Sequence, residues 1–405
     1  MARPFAPVGS PARQVQISER ACELADSTLA ELFALARQRR AIDLAVGTPG
    51  FPDTPEAVIE RGVIALRSGG NQYEDPSGSL VLRQQIARSF GTPADPYTQV
   101  TVTTGATEAL CAALFATVDP GDEVIVLEPF YEGFINAIRL AGAVPRFVGL
   151  RAPEWRLDPI DVAAAFGPRT RALLLNTPSN PTGHILTSAE LDEIAEICGK
   201  WDVAVISDET YANLIYDELE HFSVADVPQL GDRSIVIGSL SKNLAISGWR
   251  LGYLRADAKR TEVLRRVHQT MTNGTAAPLQ LAVGETDVLD GGWWKPAPAL
   301  ADRRDRAVRI FRRLGHRIQP PDGGCFLLAD AGNVTGDCLT YVRQLLQESG
   351  VLVAPGCAFF ADLGRGRKYV RVAFNRSLET LAAAERNLLP EQFTEEGENS
   401  CEESP

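Results

Sequence analysis

Metal-binding and disulfide patterns are missing from this sequence. Its seven cysteines are scattered, no two of them form a C-x-x-C pair, and the four histidines stand apart from one another. Zinc sites need closely spaced ligands and disulfide frameworks need paired cysteines, so we expect neither a metal site nor a disulfide scaffold. Most of the cysteines are better explained as small apolar residues of a core.

The sequence also lacks a long apolar run and an excess of basic charge. No segment approaches the roughly 20 apolar residues that cross a bilayer, and the start, Met1 to Arg13, has no apolar signal-peptide centre. We therefore predict a cytoplasmic protein without a membrane partner. Acidic residues number 52 against 40 basic ones, a net charge of -12. This balance argues against a nucleic-acid partner, which would require a basic surface.

The length suits more than one domain. A chain of 405 residues fits a large domain with a smaller companion better than one compact core, and the proline-rich stretch from Lys295 to Pro298 marks a break. We predict an N-terminal arm belonging in part to the small domain (1–45), a large domain (46–285) and a small C-terminal domain (286–390). The acidic tail (391–405) has almost no apolar residues and is predicted to be disordered.

Five short apolar runs predict strands that are buried on both faces, as in a parallel sheet. The runs are EVIVLE (123–128), RALLLN (171–176), VAVISD (203–208), SIVIGSL (234–240) and LGYLR (251–255). Residues 187–200 have the pattern of a helix, with Thr187 and Glu190 as its capping box. A second helix is predicted between Thr54-Pro55 and Gly69-Gly70. The alternation of strands and helices predicts an α/β fold.

Polar residues follow several of these strands, where ligands of open α/β sheets bind. Gly105-Ala106-Thr107 opens a helix whose backbone N–H groups could bind an anion, provided that Glu108 points away. The proline-stiffened loop from Asn176 to Gly183 holds the amide of Asn180. Each segment has a plain alternative, a helix start or a strand-to-helix turn.

Charged residues lie at the later strand ends. Asp208 ends the strand VAVISD and Tyr211 follows three residues on; a buried acid is costly unless paired, which favours a site. Lys242, flanked by Ser239 and Ser241, follows another buried strand and can become a nucleophilic amine. Arg250 can bind a phosphate through two hydrogen bonds.

In this order, the segments resemble class I/II, fold-type-I pyridoxal-phosphate aminotransferases, in particular the kynurenine, methionine and aromatic branch. The family motifs are N-P-x-G (Asn180 to Gly183), a strand-end Asp with a Tyr three residues later, and S-x-S-K followed by G-W-R-x-G (Ser239 to Gly252). The resemblance runs from about Ala41 to Phe374. It implies a large domain with a mostly parallel sheet between helices, a smaller α+β domain, and pyridoxal 5'-phosphate as cofactor.

The resemblance implies a role for each matched residue. Lys242 would carry the cofactor as a Schiff base and shuttle the substrate's α-proton, and Asp208 would keep the pyridine nitrogen protonated. Asn180 and Tyr211 would bind the phenolic oxygen. The phosphate would be held by Gly105, Ala106, Thr107, Ser239, Ser241 and Arg250.

Other matched residues would stack on the ring or bind the substrate. Tyr131 would stack on the ring, with Phe130 as a competitor for that position. Tyr73 would reach the phosphate of a neighbouring subunit, which implies a homodimer with shared active sites. Arg371 would bind the substrate's α-carboxylate, together with Asn180 and, in a loop offset by one residue from the common form, Gly47. Asn243 and His184 depart from the family pattern, and we expect both to be rim variation.

Transamination between an amino acid and a 2-oxo acid is the function that these motifs favour. A lyase or cyclase that eliminates a group or closes a ring would keep the same motifs. A non-catalytic regulator is less favoured, because the segment before Ile42 is too short and weakly patterned for a DNA-binding module. A neutral, bulky substrate is expected, while a cationic side chain stays open. Arg365 and Arg367 could bind a second carboxylate but are better explained as a solvated turn.

Overall fold

The computed structural model describes residues 17–24, 30–68, 70–289 and 296–390. The predicted acidic tail, Gly69 of the predicted helix stop, and residues 290–295, which include the start of the proline-rich break, lie outside the described residues. The domain boundaries after residues 45 and 285 stay predictions.

The strands of the described chain form three sheets. They are β1 (Ile42–Asp43), β2 (Val100–Thr103), β3 (Glu123–Glu128), β4 (Val144–Gly149), β5 (Thr170–Asn176), β6 (Ala204–Asp208), β7 (Ser234–Ser239), β8 (Gly252–Ala256), β9 (Phe326–Asp330), β10 (Val351–Leu352), β11 (Ala354–Pro355) and β12 (Tyr369–Ala373).

The helices precede, connect and follow these strands along the chain. They are α1 (Glu19–Cys22), α2 (Ala30–Arg39), α3 (Glu56–Arg67), α4 (Leu80–Arg88), α5 (Gly105–Phe115), α6 (Gly133–Leu140), α7 (Pro159–Ala164), α8 (Ser188–Trp201), α9 (Ala258–Thr272), α10 (Ala277–Gly284), α11 (Ala297–Arg313), α12 (Cys338–Glu348), α13 (Leu363–Gly366) and α14 (Leu378–Leu388).

The central sheet has seven strands in the order β2-β8-β7-β6-β5-β3-β4. Strand β8 runs antiparallel to both of its neighbours, and the pairs from β7 to β4 are parallel. The predicted mostly parallel sheet is thereby confirmed. All five predicted strands are present, with ends that agree within one residue.

Successive residues of the central strands enter two different cores. Leu173 and Leu175 of β5 belong to one apolar cluster with α8, whereas Ala172 and Leu174 belong to a second cluster with α5 and α6. Side chains alternate across a strand, so this pattern requires helices on both faces of the sheet. The predicted burial of these strands on both faces is confirmed.

Helix α8 begins with the predicted capping box. The Glu190 amide donates to Thr187 Oγ1 (3.2 Å), and the Thr187 amide donates to Glu190 Oε2 (2.9 Å). His184 lies beside this box, with Nε2 3.4 Å from Glu190 Oε2 and Nδ1 3.6 Å from Asp322 Oδ2. The expectation of rim variation is wrong for His184 and for Asn243, because both side chains are buried. Each fills a position inside the fold rather than on its surface.

A second, three-stranded antiparallel sheet has the order β11-β12-β9, and β1 pairs in parallel with β10. The short β1–β10 pair therefore brings the early chain beside residues more than three hundred positions later. No helix within the described ranges is long and apolar enough to cross a membrane. The same ranges hold no cluster of histidine, cysteine and acidic residues suited to a metal ion.

Candidate active site

A cavity of about 310 Å³ opens where β5, β6 and β7 end. Parallel strands present their carboxyl ends at one edge of a sheet, so residues from distant parts of the chain meet there. Twelve of the sequence-predicted site residues line this cavity: Gly47, Ala106, Thr107, Tyr131, Asn180, Asp208, Tyr211, Ser239, Ser241, Lys242, Arg250 and Arg371.

Two predicted residues do not line the cavity. Gly105 lies immediately behind it with φ +77°, and a Cβ at this position would come within 2.5 Å of Arg250 Nη2. Tyr73 lies in a separate surface depression with residues 272–278, and 87% of its surface is exposed. Its predicted role in a neighbouring subunit stays a prediction.

Lys242 carries a partly buried amine with one backbone partner among the described residues. Its Nζ donates to the carbonyl oxygen of Gly47 at 3.1 Å. Burial lowers the pKa of Lys242. Cys325 opposes this effect, and the positive charges of Arg371 and Arg250 lower the pKa further. More of the amine is therefore neutral near pH 7 than in an exposed lysine, and the neutral amine is the nucleophilic form.

Asp208 is a partly buried carboxylate at the end of β6. Burial raises its pKa, while hydrogen bonds from Thr210 and the charge of Lys242 oppose the rise. Asn176 fixes this strand end through both atoms of its side-chain amide. Its Nδ2 donates to the backbone carbonyl of Asp208 (2.9 Å), and its Oδ1 accepts from the backbone N–H of Asn180 (2.7 Å). The sequence prediction gave Asn176 no such role, although its place at the end of a predicted strand was a usable signal.

Of the two adjacent aromatic residues predicted to compete for the ring, only Tyr131 lines the cavity. Phe130 stacks on Phe147 at 5.4 Å, outside the cavity, whereas Tyr131 lines it. Tyr211 packs edge-on against Phe326 at 6.1 Å. Burial raises the pKa of Tyr131 and Tyr211, so both phenols are protonated at neutral pH and can donate hydrogen bonds.

One end of the cavity is suited to an anion. The start of α5 presents backbone amides there, beside Ser239, Ser241 and Arg250. Glu108 turns away as expected, with Oε2 3.0 Å from His268 Nδ1. Hydroxyl, amide and guanidinium donors thus surround the same space without a carboxylate between them.

Arg371 of β12 lies at another side of the cavity. Its Nη1 donates to Asn180 Oδ1 and its Nη2 to the Ala45 carbonyl, both at 2.8 Å. The guanidinium lies 4.1 Å from the Phe326 ring and 4.5 Å from the Phe359 ring. Its buried Nε has no hydrogen-bond partner among the described residues. A fixed guanidinium with a spare donor suits a carboxylate ligand.

Two residues that the sequence prediction missed hold the loop around Gly47. Asn375 Nδ2 donates to the Gly47 carbonyl (3.2 Å), and Arg376 Nη1 donates to the Thr48 carbonyl (2.9 Å). A Cβ at position 47 would lie 2.5 Å from Phe326 Cζ, so the loop approaches too closely for a larger residue. The signal in the sequence was the polar pair that begins two residues after the end of the strand that carries Arg371.

The two arginines considered for binding a second substrate carboxylate, Arg365 and Arg367, do not lie at the cavity. Arg365 pairs with Glu128, whose side chain is 2% exposed, so this arginine neutralises a buried acid instead of standing free in a solvated turn. Arg367 is exposed, and neither arginine lines the cavity.

A larger cavity of about 540 Å³ lies on another side of Ser239. Among the described residues, its walls carry no lysine, arginine or histidine, and they are mainly apolar. The smaller cavity is therefore the candidate active site, because it alone of the two has the amine and guanidinium groups.

Comparison with known proteins identifies the family. Residues 39–387 match the family described as aminotransferase class I and II. The chain belongs to this family. It is 35% identical over 371 residues to the methionine aminotransferase of Escherichia coli (strain K12), covering 90% of this chain and 96% of that one. Kynurenine–oxoglutarate transaminase 3 of Bos taurus is 31% identical over 390 residues, covering 88% of this chain and 86% of that one.

Solved aminotransferase structures share the fold. The N-succinyldiaminopimelate aminotransferase from Mycobacterium tuberculosis has a TM-score of 0.88 at 34% identity and covers 92% of this chain and 99% of that one. A methionine aminotransferase structure from Escherichia coli has a TM-score of 0.87 at 33% identity, over 93% of this chain and 99% of that one. The protein is an aminotransferase with the fold-type-I architecture, and the lyase or cyclase alternative is not favoured.

Proposed function

We propose that this aminotransferase binds pyridoxal 5'-phosphate in the cavity and moves an amino group from a neutral L-amino acid to a 2-oxo acid. The observation that carries the proposal is the joint placement of Lys242, Asp208, Arg250 and Arg371 around one cavity. These residues supply a nucleophilic amine, a buried carboxylate and two guanidinium groups, each complementary to a different group of the cofactor and substrate.

The residues present fit the cofactor. Amides of Ala106 and Thr107 with Ser239, Ser241 and Arg250 would hold the phosphate. Asp208 would pair with the protonated pyridine nitrogen, which offsets the cost of burying this carboxylate. Tyr131 would lie against the ring, with its phenol buried in the wall.

When bound, the cofactor supplies an electron sink for the negative charge that develops at the substrate's α-carbon. Lys242 would hold the cofactor through its Nζ and, once displaced by the substrate amine, would accept and return the proton of that carbon. The hydrogen bond to Gly47 orients this amine in the absence of a ligand.

Asn180 would act on both cofactor and substrate. Its Oδ1 is occupied by Arg371 Nη1, so its Nδ2 remains as a donor toward the cofactor's phenolic oxygen, together with the Tyr211 hydroxyl. Arg371 would bind the α-carboxylate, beside Gly47. Asn180 therefore couples the position of the carboxylate-binding arginine to that of the ring.

The cavity walls and the relatives support a neutral substrate. Phe33, Val46 and Phe326 give the cavity apolar surface, and the two arginines that line it are both assigned, to the phosphate and the α-carboxylate. The names of the relatives mention methionine, kynurenine and N-succinyldiaminopimelate. A neutral, fairly bulky L-amino acid with a 2-oxo acid acceptor is the common expectation.

A homodimer with shared active sites is part of the proposal. Tyr73 is too exposed to serve its own protomer as a buried cofactor ligand. Helix α3 also exposes Ile59, Val63, Ile64 and Leu66, at 40% to 52%. Such a contiguous apolar surface is typical of an interface. The cytoplasmic location stays a prediction from composition.

The test mixes the cofactor-loaded enzyme with single amino acids in the absence of any oxo acid. Absorbance follows the cofactor and mass spectrometry identifies products. Conversion to the pyridoxamine form with release of one 2-oxo acid is expected, and it names the amino donor. Return to the starting absorbance with release of ammonia, an eliminated group or a cyclised product would overturn the proposal in favour of a lyase or cyclase.

A further inference from the structure

The cavity contains one carboxylate that the proposed function leaves without a task. Its charged residues are Lys242, Arg250, Arg371, Asp208 and Glu132. Cofactor and substrate would provide a partner for each of the first four. For Glu132 they would provide none, although withdrawing a carboxylate even partly from water without a partner is unfavourable.

Glu132 directly precedes α6, but its side chain makes no capping hydrogen bond to this helix. Across the part of the chain that the structure describes, burial raises its pKa and only the charge of Arg371 opposes this rise. The carboxylate thus keeps its acceptor capacity for a ligand.

Glu132 lines the same cavity as Arg371, the residue proposed to bind the substrate's α-carboxylate. The two side chains are near enough for the charge of Arg371 to oppose the rise in the pKa of Glu132. The adjacent Tyr131 also lines the cavity. If Arg371 binds the α-carboxylate of a substrate, the substrate's side chain would therefore extend within the electrostatic field of the Glu132 carboxylate.

We infer that Glu132 is a specificity-determining residue, which disfavours substrates with an anionic side chain and favours side chains that are neutral or donate a hydrogen bond. The inference rests on the proposed function and deepens it. Two carboxylates brought together in a partly buried site repel each other strongly, because water screens them poorly. A side-chain N–H or ammonium group would instead gain a charge-assisted hydrogen bond.

A competing explanation is that Glu132 only balances the charge of Arg371. In that case, its neutralisation would change the affinity for every α-carboxylate to the same extent. The selectivity between neutral and acidic substrates separates the two explanations, because a charge that acts only through Arg371 would affect both substrates alike and leave that ratio unchanged.

The experiment compares the cofactor-loaded enzyme with its Glu132→Gln variant, which keeps the size of the side chain and removes the charge. The kcat/KM values for methionine and for glutamate are measured with one fixed oxo acid. The ratio of methionine to glutamate should fall by about tenfold or more in the variant, chiefly through a gain with glutamate. A parallel change for both substrates, or an unchanged ratio, would overturn the inference.

Glu31→Gln is the matched control, because Glu31 is exposed on α2, the helix that contributes Phe33 to the cavity. This variant has the same net charge as Glu132→Gln and should retain the selectivity of the unmodified enzyme. An equal shift in both variants would contradict the inference, since it would indicate a long-range charge effect.

Binding provides a second readout if turnover of the Glu132→Gln variant is low. Dissociation constants of glutarate and of valerate, which share a chain length, are measured by titrating the cofactor's absorbance. The preference for valerate should weaken in the variant; an unchanged preference would contradict the inference. Failure of the proposed function is distinguishable, because the unmodified enzyme would then form no pyridoxamine with any amino acid.

Discussion

Lys242 combines burial, three neighbouring positive charges and a single backbone acceptor. We predict that Lys242→Ala reduces kcat by several orders of magnitude while the protein still folds and binds the cofactor weakly, because the nucleophile and proton carrier are removed together. Steady-state kinetics and the cofactor's absorbance check this. Lys200→Ala is the control, since Lys200 is an exposed residue of α8 paired with Glu196. Retained turnover in Lys242→Ala would refute the assignment.

The prediction for Arg371 concerns substrate binding and not the chemical step. Arg371→Ala should raise KM for all amino acids by roughly 30-fold or more, corresponding to about 2 kcal/mol, because the substrate carboxylate loses a buried charged partner. The exposed Arg367 serves as the control, and Arg367→Ala should leave KM unchanged. If KM rose in the Arg367 variant and not in the Arg371 variant, the carboxylate site would have to be reassigned.

Among the secondary-structure elements, the loop after β5 is linked to the first turn of α8 by an ion pair. His184 of the loop lies between Glu190 of α8 and Asp322, which precedes β9. Burial alone would lower the pKa of His184, but the two carboxylates outweigh it and raise this pKa. The pKa of Glu190 is lowered to about 2, because its hydrogen bonds and the charge of His184 outweigh desolvation. The ion pair should therefore stabilise the fold in a pH-dependent way.

The stabilisation of the fold by His184 and that by Glu190 depend on pH in opposite directions. The stabilisation from His184 is complete below its unfolded pKa and is lost as pH rises through the raised folded value, whereas that from Glu190 is lost as pH falls from about 4.5 toward about 2. His184→Asn should thus lower Tm by a few degrees more at pH 6 than at pH 9.

Thermal unfolding of the cofactor-loaded enzyme at both pH values measures this difference. In a Glu190→Gln background, the pH-dependent part should shrink, because His184 has lost one partner. An equal effect of His184→Asn at pH 6 and pH 9 would show that the histidine stabilises the fold by packing and not by charge.

Strand prediction succeeded where the residue pattern reflects burial on both faces. Strands β3 and β5–β8 lie inside the sheet and their apolar runs are continuous. The outer strands gave no such run: β4 exposes Val144 and Phe147, and β2 alternates valine with threonine. An edge strand owes its conformation to a neighbour, which the local sequence does not specify.

At the scale of the whole molecule, Tyr73 tests whether two protomers share each site. Tyr73→Phe should weaken cofactor binding about tenfold by removing a hydroxyl donor to the phosphate. A hybrid of one Tyr73→Phe protomer and one Lys242→Ala protomer should regain one intact site, with near-wild-type affinity and turnover, because the intact Tyr73 and the intact Lys242 would meet across the interface.

Hybrids are prepared with two different affinity tags, and activity is expressed per intact lysine. The Tyr73→Phe homodimer is the control for the loss. A hybrid that binds the cofactor as weakly as this homodimer would contradict the shared site, since Tyr73 would then serve its own protomer.

The complete site could not be read from any one segment. Lys242 contacts Gly47 across 195 positions, and Arg371 contacts Ala45 across 326. The motifs predicted which residue types take part, because each motif is local and has a definite spacing. They did not reveal Asn375, Arg376 and Phe359 as supports, because these residues acquire their roles through contacts with distant loops.

The residue pattern alone predicted the α/β fold, the central strands, the capping box of α8 and the residues that meet at the strand ends. These features depend on periodicity, on turn chemistry and on motifs that keep their spacing. The folded structure was needed to show that Tyr131 rather than Phe130 lines the cavity, that His184 is buried between two carboxylates, and that Glu132 makes no capping bond to α6. Burial and electrostatic neighbours arise from packing between segments far apart in the chain, so no local pattern could provide them.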